Sequence, residues 1–231
     1  MVPTAVITGA NSGIGNALAK ILVQEGYRVI AADIEIGAAI QSLDCETAQL
    51  DVSSPDSIAS FAKSTGTQPI DLLLNVAGIM VPHDADTLET VDICEFQKTF
   101  AVNTSGPLLL TQALLPNVLS SQHPKIAVMS SRVGSMGDNS SGGAYSYRAS
   151  KAAVNALFKN MAIDLKDRNV PVILLHPGIV KTKLDPRNKE GAVPGAVEPS
   201  HAAADLWKVL ATKGLESTGM FFHRSGEELP W

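Results

Sequence analysis

Apolar runs broken by glycine, proline and short polar stretches recur along the chain at two periods. Thr4-Ala5-Val6-Ile7-Thr8 is mostly apolar and stops at Gly9, as a strand buried on both faces does. Ile14, Ala17, Leu18, Ile21 and Leu22 then recur at helical spacing, and Gly26 supplies the stop. Arg28-Val29-Ile30-Ala31-Ala32-Asp33 returns to the strand pattern. One strand, one helix and a second strand fit within the first 33 residues, the length of a parallel crossover.

The alternation continues to the end of the chain. Gln49-Leu50-Asp51-Val52 ends a third strand, and Ser53-Ser54-Pro55-Asp56 is a helix start with a cap and a proline in the first turn. Residues 70–75, 125–130, 170–175 and 219–222 read as four further strands. Helices are predicted over 92–119, interrupted near Gly106-Pro107, and over 145–168 and 199–211. The pattern predicts the α/β class: a single-domain, doubly wound parallel sheet of about seven strands with helices on both faces. Segment 184–200 is irregular, with Pro186, Gly191, Pro194, Gly195 and Pro199, and reads as a loop covering a substrate pocket.

Composition narrows the function. The 231 residues suffice for one sizeable core, and 45% hydrophobic with 18% charged residues is the balance of an ordinary soluble protein. A net charge of −5, no clustered Lys/Arg run and only 5% aromatics argue against a nucleic-acid partner. No apolar run approaches membrane-spanning length and no signal core follows Met1. Cys45 and Cys94 stand in no CxxC pair and beside no His pair, which suggests reduced thiols in a cytoplasmic setting and no metal site.

Candidate chemistry sits at the strand ends. Thr8-Gly9-Ala10-Asn11-Ser12-Gly13-Ile14-Gly15 joins the first strand to the first helix, where glycines let a pyrophosphate approach the helix N-terminus. Its spacing differs from G-x-G-x-x-G. Asp33 ends the second strand, where a dinucleotide-binding unit places the acid that bonds the ribose hydroxyls. An acid there repels a 2′-phosphate, and neither Ser12 nor Ile34 supplies a cation to hold one, so NAD(H) is preferred over NADP(H). Further along, Tyr147 and Lys151 stand four apart at the start of a helix and share a face, a plausible acid–base pair. Tyr145 is six residues from Lys151 and points elsewhere.

These positions resemble the short-chain dehydrogenase/reductase family over essentially the whole chain, which implies a Rossmann-type fold. Thr8-Gly9-x-x-x-Gly13-Ile14-Gly15 matches the family's cofactor loop, with Asn11 and Ser12 inside it. Asp51-Val52 matches the pair beside the adenine, and Asn75-Val76-Ala77-Gly78 is similar to the NNAG segment, so Asn75, Ala77 and Gly78 are implied to border the cofactor. Pro177-Gly178-Ile179-Val180-Lys181-Thr182 matches the segment by the nicotinamide, which brings in Pro177, Gly178, Val180 and Thr182. The family's active-site tetrad maps onto Asn103, Ser131, Tyr147 and Lys151. Asp138-Asn139, Gly142-Gly143, Tyr145-x-Tyr147-Arg148-x-Ser150-Lys151 and the ending Gly226-Glu227-Glu228-Leu229-Pro230-Trp231 are most similar to the C-factor and sniffer-type carbonyl reductases.

One departure concerns the serine. The family's catalytic serine lies thirteen residues before the tyrosine, a position held here by Gly134. Ser131, at the end of the fifth strand, is the first choice and Ser135 the second, while Ser130 is expected to point to the other side of the sheet.

The resemblance implies hydride transfer between a nicotinamide and a substrate carbon, interconverting a carbonyl and a secondary alcohol. Tyr147 exchanges the proton, Ser131 bonds the reacting oxygen, and Lys151 holds the ribose. Asn103 holds the water that links Lys151 to solvent. A tyrosine of pKa near ~10 must fall by about 3 to work as a base near neutral pH, roughly 4 kcal/mol. An ammonium at about 4 Å in an effective dielectric of about 20 supplies roughly that much. Met80, Val81, Val133, Met136, Leu184 and Val193 are candidate pocket residues for an apolar small-molecule substrate. A homodimer or homotetramer through helices near 92–120 and 145–168 is implied. Two other readings stay open: a cofactor-binding regulatory or signalling protein on the same fold, and an epimerisation or dehydration with no net use of cofactor.

Overall fold

A computed structural model of the chain describes residues 2–185 and 193–231. Seven strands form one parallel sheet: β1 (Thr4–Thr8), β2 (Arg28–Asp33), β3 (Glu46–Gln49), β4 (Leu72–Asn75), β5 (Lys125–Met129), β6 (Val172–His176) and β7 (Phe221–His223). Their order is β3-β2-β1-β4-β5-β6-β7, and every pairing is parallel. The chain winds outward from β1 in one direction and from β4 in the other. The switch between β1 and β4 leaves a crevice at the carboxyl ends of the strands, where such sheets bind ligands.

Among the described residues the α-helices are α1 (Gly13–Gln24), α2 (Ala38–Gln41), α3 (Pro55–Thr65), α4 (Ile93–Phe100), α5 (Gly106–Leu119), α6 (Tyr145–Asp164) and α7 (Pro199–Thr212). They cover both faces, which is why the central strands are apolar at nearly every position. Alternate residues of one strand enter opposite cores. Val6, Leu73, Ile126, Val128, Val172 and Leu174 pack with α3, α5 and α6. Ala5, Ile7, Leu72, Leu74, Ala127, Ile173 and Leu175 pack with α1 and α7.

Several boundaries depart from the sequence expectation. β3 stops at Gln49, because the amide of Asp51 turns away to bond the Ser57 hydroxyl at 3.0 Å. The four-residue α2 has no counterpart among the predicted helices. β4 and β6 each start two residues later than predicted, and β7 is shifted to 221–223. The break in the helix over 92–119 lies earlier than Gly106-Pro107. A π-helical turn, Ala101–Ser105, separates α4 from α5, and Pro107 follows it as an ordinary first-turn proline. The predicted start of α3 is realised: the Ser54 hydroxyl accepts from the Ser57 amide at 3.2 Å ahead of Pro55. Of segment 184–200, residues 186–192 lie outside the described residues.

Candidate active site

A cleft of about 1070 Å³ opens along the carboxyl edge of the sheet, from the end of β2 to the end of β6. Of the site residues predicted from sequence, all but Asn11, Asn75 and Asn103 line it. Those three stand behind the wall and hold it in place.

The glycine loop forms the floor. Thr8 Oγ1 accepts from the amides of Val76 and Ala77, both at 3.0 Å, which fastens the end of β1 to the segment after β4. Gly9 sits at φ 72°, and an added Cβ would lie 3.0 Å from the Ala77 backbone. A Cβ on Gly15 would run into the carbonyl oxygen of Gly9, so only glycine lets α1 pack this close to the loop. Ser12 precedes α1 in extended conformation and its side chain caps none of the first-turn amides. Gly13, Ile14 and Gly15 therefore turn donors and the positive end of the helix toward the cleft. An uncapped helix start on a loop with glycine at positions 9, 13 and 15 fits a pyrophosphate.

Asp33 marks the far end. Its Oδ2 accepts from the Asn11 amide at 2.8 Å and its Oδ1 from the Glu35 amide at 3.2 Å, so backbone bonds fix the carboxylate at the rim. Asn11 in turn accepts from the Ile40 amide at 3.3 Å, tying α2 to the loop. Asn75 is buried and donates to Thr111 Oγ1 on α5 at 3.2 Å.

α6 carries Tyr147 and Lys151 on its buried face, while Tyr145 is 41% exposed. Lys151 Nζ lies 5.7 Å from the centre of the Tyr147 ring and donates to the Met129 carbonyl at 2.9 Å. Burial pushes the Tyr147 phenol up to about 12; a hydrogen bond with Ser131 works against this and the Asp185 charge adds to it. Burial also brings the Lys151 ammonium down to about 8. The sequence arithmetic anticipates the opposite for Tyr147. Both groups are desolvated, and the ammonium is committed to a carbonyl rather than to the phenol.

Ser131 therefore stands beside Tyr147, at the end of β5. Ser135 does not: it lies off the cleft, and its hydroxyl accepts from the Asp138 amide at 3.1 Å. The Ser130 hydroxyl is within 2.5 Å of Asn155 Oδ1 on α6. Gly134 has no room for a side chain, since a Cβ there would lie 2.7 Å from the Lys151 carbonyl carbon. Asn103, in the π turn, accepts from the Ile79 amide and donates to the Ile79 carbonyl, both at 2.9 Å, and donates to Ser150 Oγ at 3.1 Å. Of the predicted pocket residues, Met80, Val133, Leu184 and Val193 line the cleft. Val81 is buried away from it, and Met136 is 79% exposed on the outside.

A family model described as short chain dehydrogenase matches residues 3–192. This chain belongs to the short-chain dehydrogenase/reductase family. Among curated relatives, the 1-hydroxy-2-glutathionyl-2-methyl-3-butene dehydrogenase of Rhodococcus sp. (strain AD45) is 36% identical, with 99% of each chain covered. The C-signal of Myxococcus xanthus is 36% identical over 74% of this chain and 99% of its own. Among solved structures, the NADPH-bound carbonyl reductase from chicken fatty liver superposes with a TM-score of 0.89 at 28% identity, covering 100% of this chain and 99% of that one. The carbonyl reductase Sniffer of Drosophila melanogaster gives 0.89 at 25% identity with both chains covered fully. Within the family this chain resembles the C-signal and sniffer-type branch, and dependence on a pyridine nucleotide follows from the family.

Sequence reasoning missed three features of the site. His176 lines the cleft just before Pro177, and burial, with the nearby His223, Arg132 and Arg224 charges, brings its pKa down to about 3. His83 and Asp185 face each other across the cleft at 3.9 Å. The first-turn amides of α6 donate to Asp86, sixty residues upstream. Each is a single polar residue in an unpatterned loop or strand end, so nothing in the sequence ties it to Tyr147.

Proposed function

We propose that the protein is an NAD(H)-dependent oxidoreductase that interconverts a carbonyl and a secondary alcohol, with Tyr147 as the proton donor and acceptor. The observation that carries this reading is that Ser131, Tyr147 and, one turn on, Lys151 meet on the wall of the same cleft that the uncapped glycine-rich start of α1 lines. When bound, the nicotinamide supplies or takes up the hydride. The amides of Gly13, Ile14 and Gly15 would hold the pyrophosphate, and Asp51 and Val52 would flank the adenine. Ala77 and Gly78 would border the cofactor, with Asn75 behind them. Pro177, Gly178, Val180 and Thr182 would hold the nicotinamide end, and Lys151 would bond its ribose.

At neutral pH a phenol pushed up to about 12 keeps its proton, so Tyr147 is ready as an acid for carbonyl reduction. Ser131 holds the reacting oxygen beside it. Alcohol oxidation requires the phenolate, which the positive charge of an oxidised nicotinamide nearby would favour. Asn103 clamps Ile79 to Ser150 and so steadies the turn that bears Lys151. The substrate is apolar where it meets Met80, Val133, Leu184 and Val193, which line the cleft.

The preference for NAD(H) rests on charge. Asp33, Ile34, Leu50 and Asp51 form the adenosine corner, with two acids and no cation among these four to hold a 2′-phosphate. The chicken carbonyl reductase was solved with NADPH, so the shared fold does not impose this choice. We also assign a cytoplasmic setting and a homodimer or homotetramer.

A panel of ketones, aldehydes and alcohols, read at the nicotinamide absorbance with each of the four cofactor forms, tests the proposal. Turnover of a carbonyl with NADH in preference to NADPH is expected. The C-signal relative favours a second reading, a signalling protein that binds cofactor without using it. Tight NADH binding with no turnover on any compound would move the protein to that class.

A further inference from the structure

Proton transfer by Tyr147, the reading on which this inference rests, demands that the phenol hold one place over the cleft. α6 begins without a cap of its own: Ala144 precedes it at φ 49° and ψ 52°, and no side chain at that position accepts from its amides. The donors go to Asp86 instead. The Ser146 amide donates to Asp86 Oδ1 at 2.8 Å, the Ser146 hydroxyl to Oδ2 at 2.8 Å, and the Tyr147 amide to Oδ2 at 3.3 Å. The Tyr145 amide donates to the Asp86 carbonyl at 3.3 Å.

Asp86 is 1% exposed. A carboxylate leaves water at large cost unless donors replace the lost solvation. Charge-assisted bonds at the positive end of a twenty-residue helix are such donors. The loop that presents Asp86 is braced on itself, since Thr90 Oγ1 donates to the Asp84 carbonyl at 2.9 Å and the Thr87 amide donates to Thr90 Oγ1 at 3.1 Å. His83 and Thr87, on either side of Asp86, line the cleft. One buried carboxylate therefore joins the loop that faces the substrate to the turn that carries Tyr147.

We infer that Asp86 is a positioning residue for the proton transfer, setting the height and rotation of the first turn of α6 and through it the place of the Tyr147 phenol beside Ser131. Its bonds end on residues 145–147. Lys151 lies one turn further on and is held independently by the Met129 carbonyl, so the cofactor side of the site does not depend on Asp86. A displacement of about 1 Å at a reacting group costs up to about 10²-fold in rate. Loss of Asp86 is thus expected to act on kcat and to spare cofactor binding.

The experiment compares wild type, Asp86→Ala, Asp86→Asn and Tyr147→Phe as full-length proteins. It reads kcat and KM for the best carbonyl of the panel, NADH affinity by fluorescence, and folding by circular dichroism. Asp86→Ala should lower kcat about 10- to 100-fold with NADH affinity within about twofold of wild type. Asp86→Asn keeps one acceptor oxygen of two, and since the Ser146 and Tyr147 amides bond different oxygens it loses one of those amide bonds; its kcat should fall between. Wild-type kcat in folded Asp86→Ala, with Tyr147→Phe inactive, overturns the inference. Parallel loss of kcat and NADH affinity also overturns it, since Asp86 would then be only a structural cap. If Asp86→Ala does not fold, Asp86→Asn decides: a kcat deficit at unchanged NADH affinity supports the assignment, and wild-type kcat defeats it. Full activity in Tyr147→Phe instead defeats the underlying function.

Discussion

Burial moves Tyr147 and Lys151 in opposite directions, and in both cases it favours the neutral form. A neutral phenol is a competent acid, so the proposed carbonyl reduction needs no prior change in the protonation of Tyr147. At the other end of the cleft, Asp33 is held by two backbone amides and presents a fixed negative charge. Asp33→Ala should weaken NADH at least about tenfold and NADPH far less, as charge-assisted bonds to ribose hydroxyls are lost while repulsion of a 2′-phosphate disappears. Fluorescence titration of both cofactors checks this, and equal weakening would mean that the acid does not touch the ribose. His176 gives a stability prediction. Its folded pKa of about 3 lies below the unfolded value near ~6.5, so the unfolded chain takes up the proton first as pH falls. Stability should therefore decline from about pH 6.5 toward pH 3 by roughly 1.4 kcal/mol per unit from this group. His176→Gln should flatten that part of a urea-denaturation pH series.

Among the elements, the π turn between α4 and α5 places Asn103 where its amide reaches both Ile79 and Ser150. Asn103→Ala removes three hydrogen bonds from buried or half-buried groups and should cost roughly 2–4 kcal/mol of stability. Urea denaturation measures this, and the activity of the folded fraction should fall as well. The helix break was legible in sequence only as a generic irregularity, because glycine and proline signal a kink but not its type. The glycine loop and the Tyr147–Lys151 face were legible because their chemistry depends on local spacing: one turn of chain, or one turn of helix. Ser131 was legible as a strand end. That a side chain at position 134 would meet the Lys151 backbone is visible only in three dimensions. Asp86 and His176 were hidden for the same reason, since a partner sixty residues away or a charge cluster across β7 leaves no local pattern.

For the whole molecule, strand–helix alternation set the order of winding, and the crevice comes from the β1/β4 switch. Strand ends were less legible, as the end of β3 shows, because a side chain such as Ser57 can take a ladder amide. Ile93 ahead of the π turn and Ile163 on α6 are each more than 60% exposed, at 63% and 64%. Large apolar side chains left on the two helices assigned to assembly fit a homodimer or homotetramer. Light scattering should return two or four times the protomer mass, and Ile163→Glu should shift it toward the monomer. Among the described residues no helix is long and apolar enough to cross a membrane.

The central claim is that Tyr147 moves the proton. Tyr147→Phe keeps the ring in its buried place and removes only the hydroxyl, so NADH should bind within about twofold of wild type. Single-turnover mixing of that complex with a carbonyl that wild type reduces should show nicotinamide oxidation slowed by about 10²–10⁴-fold, the range for loss of a general acid. Wild-type nicotinamide oxidation in the Tyr147→Phe complex would contradict the account.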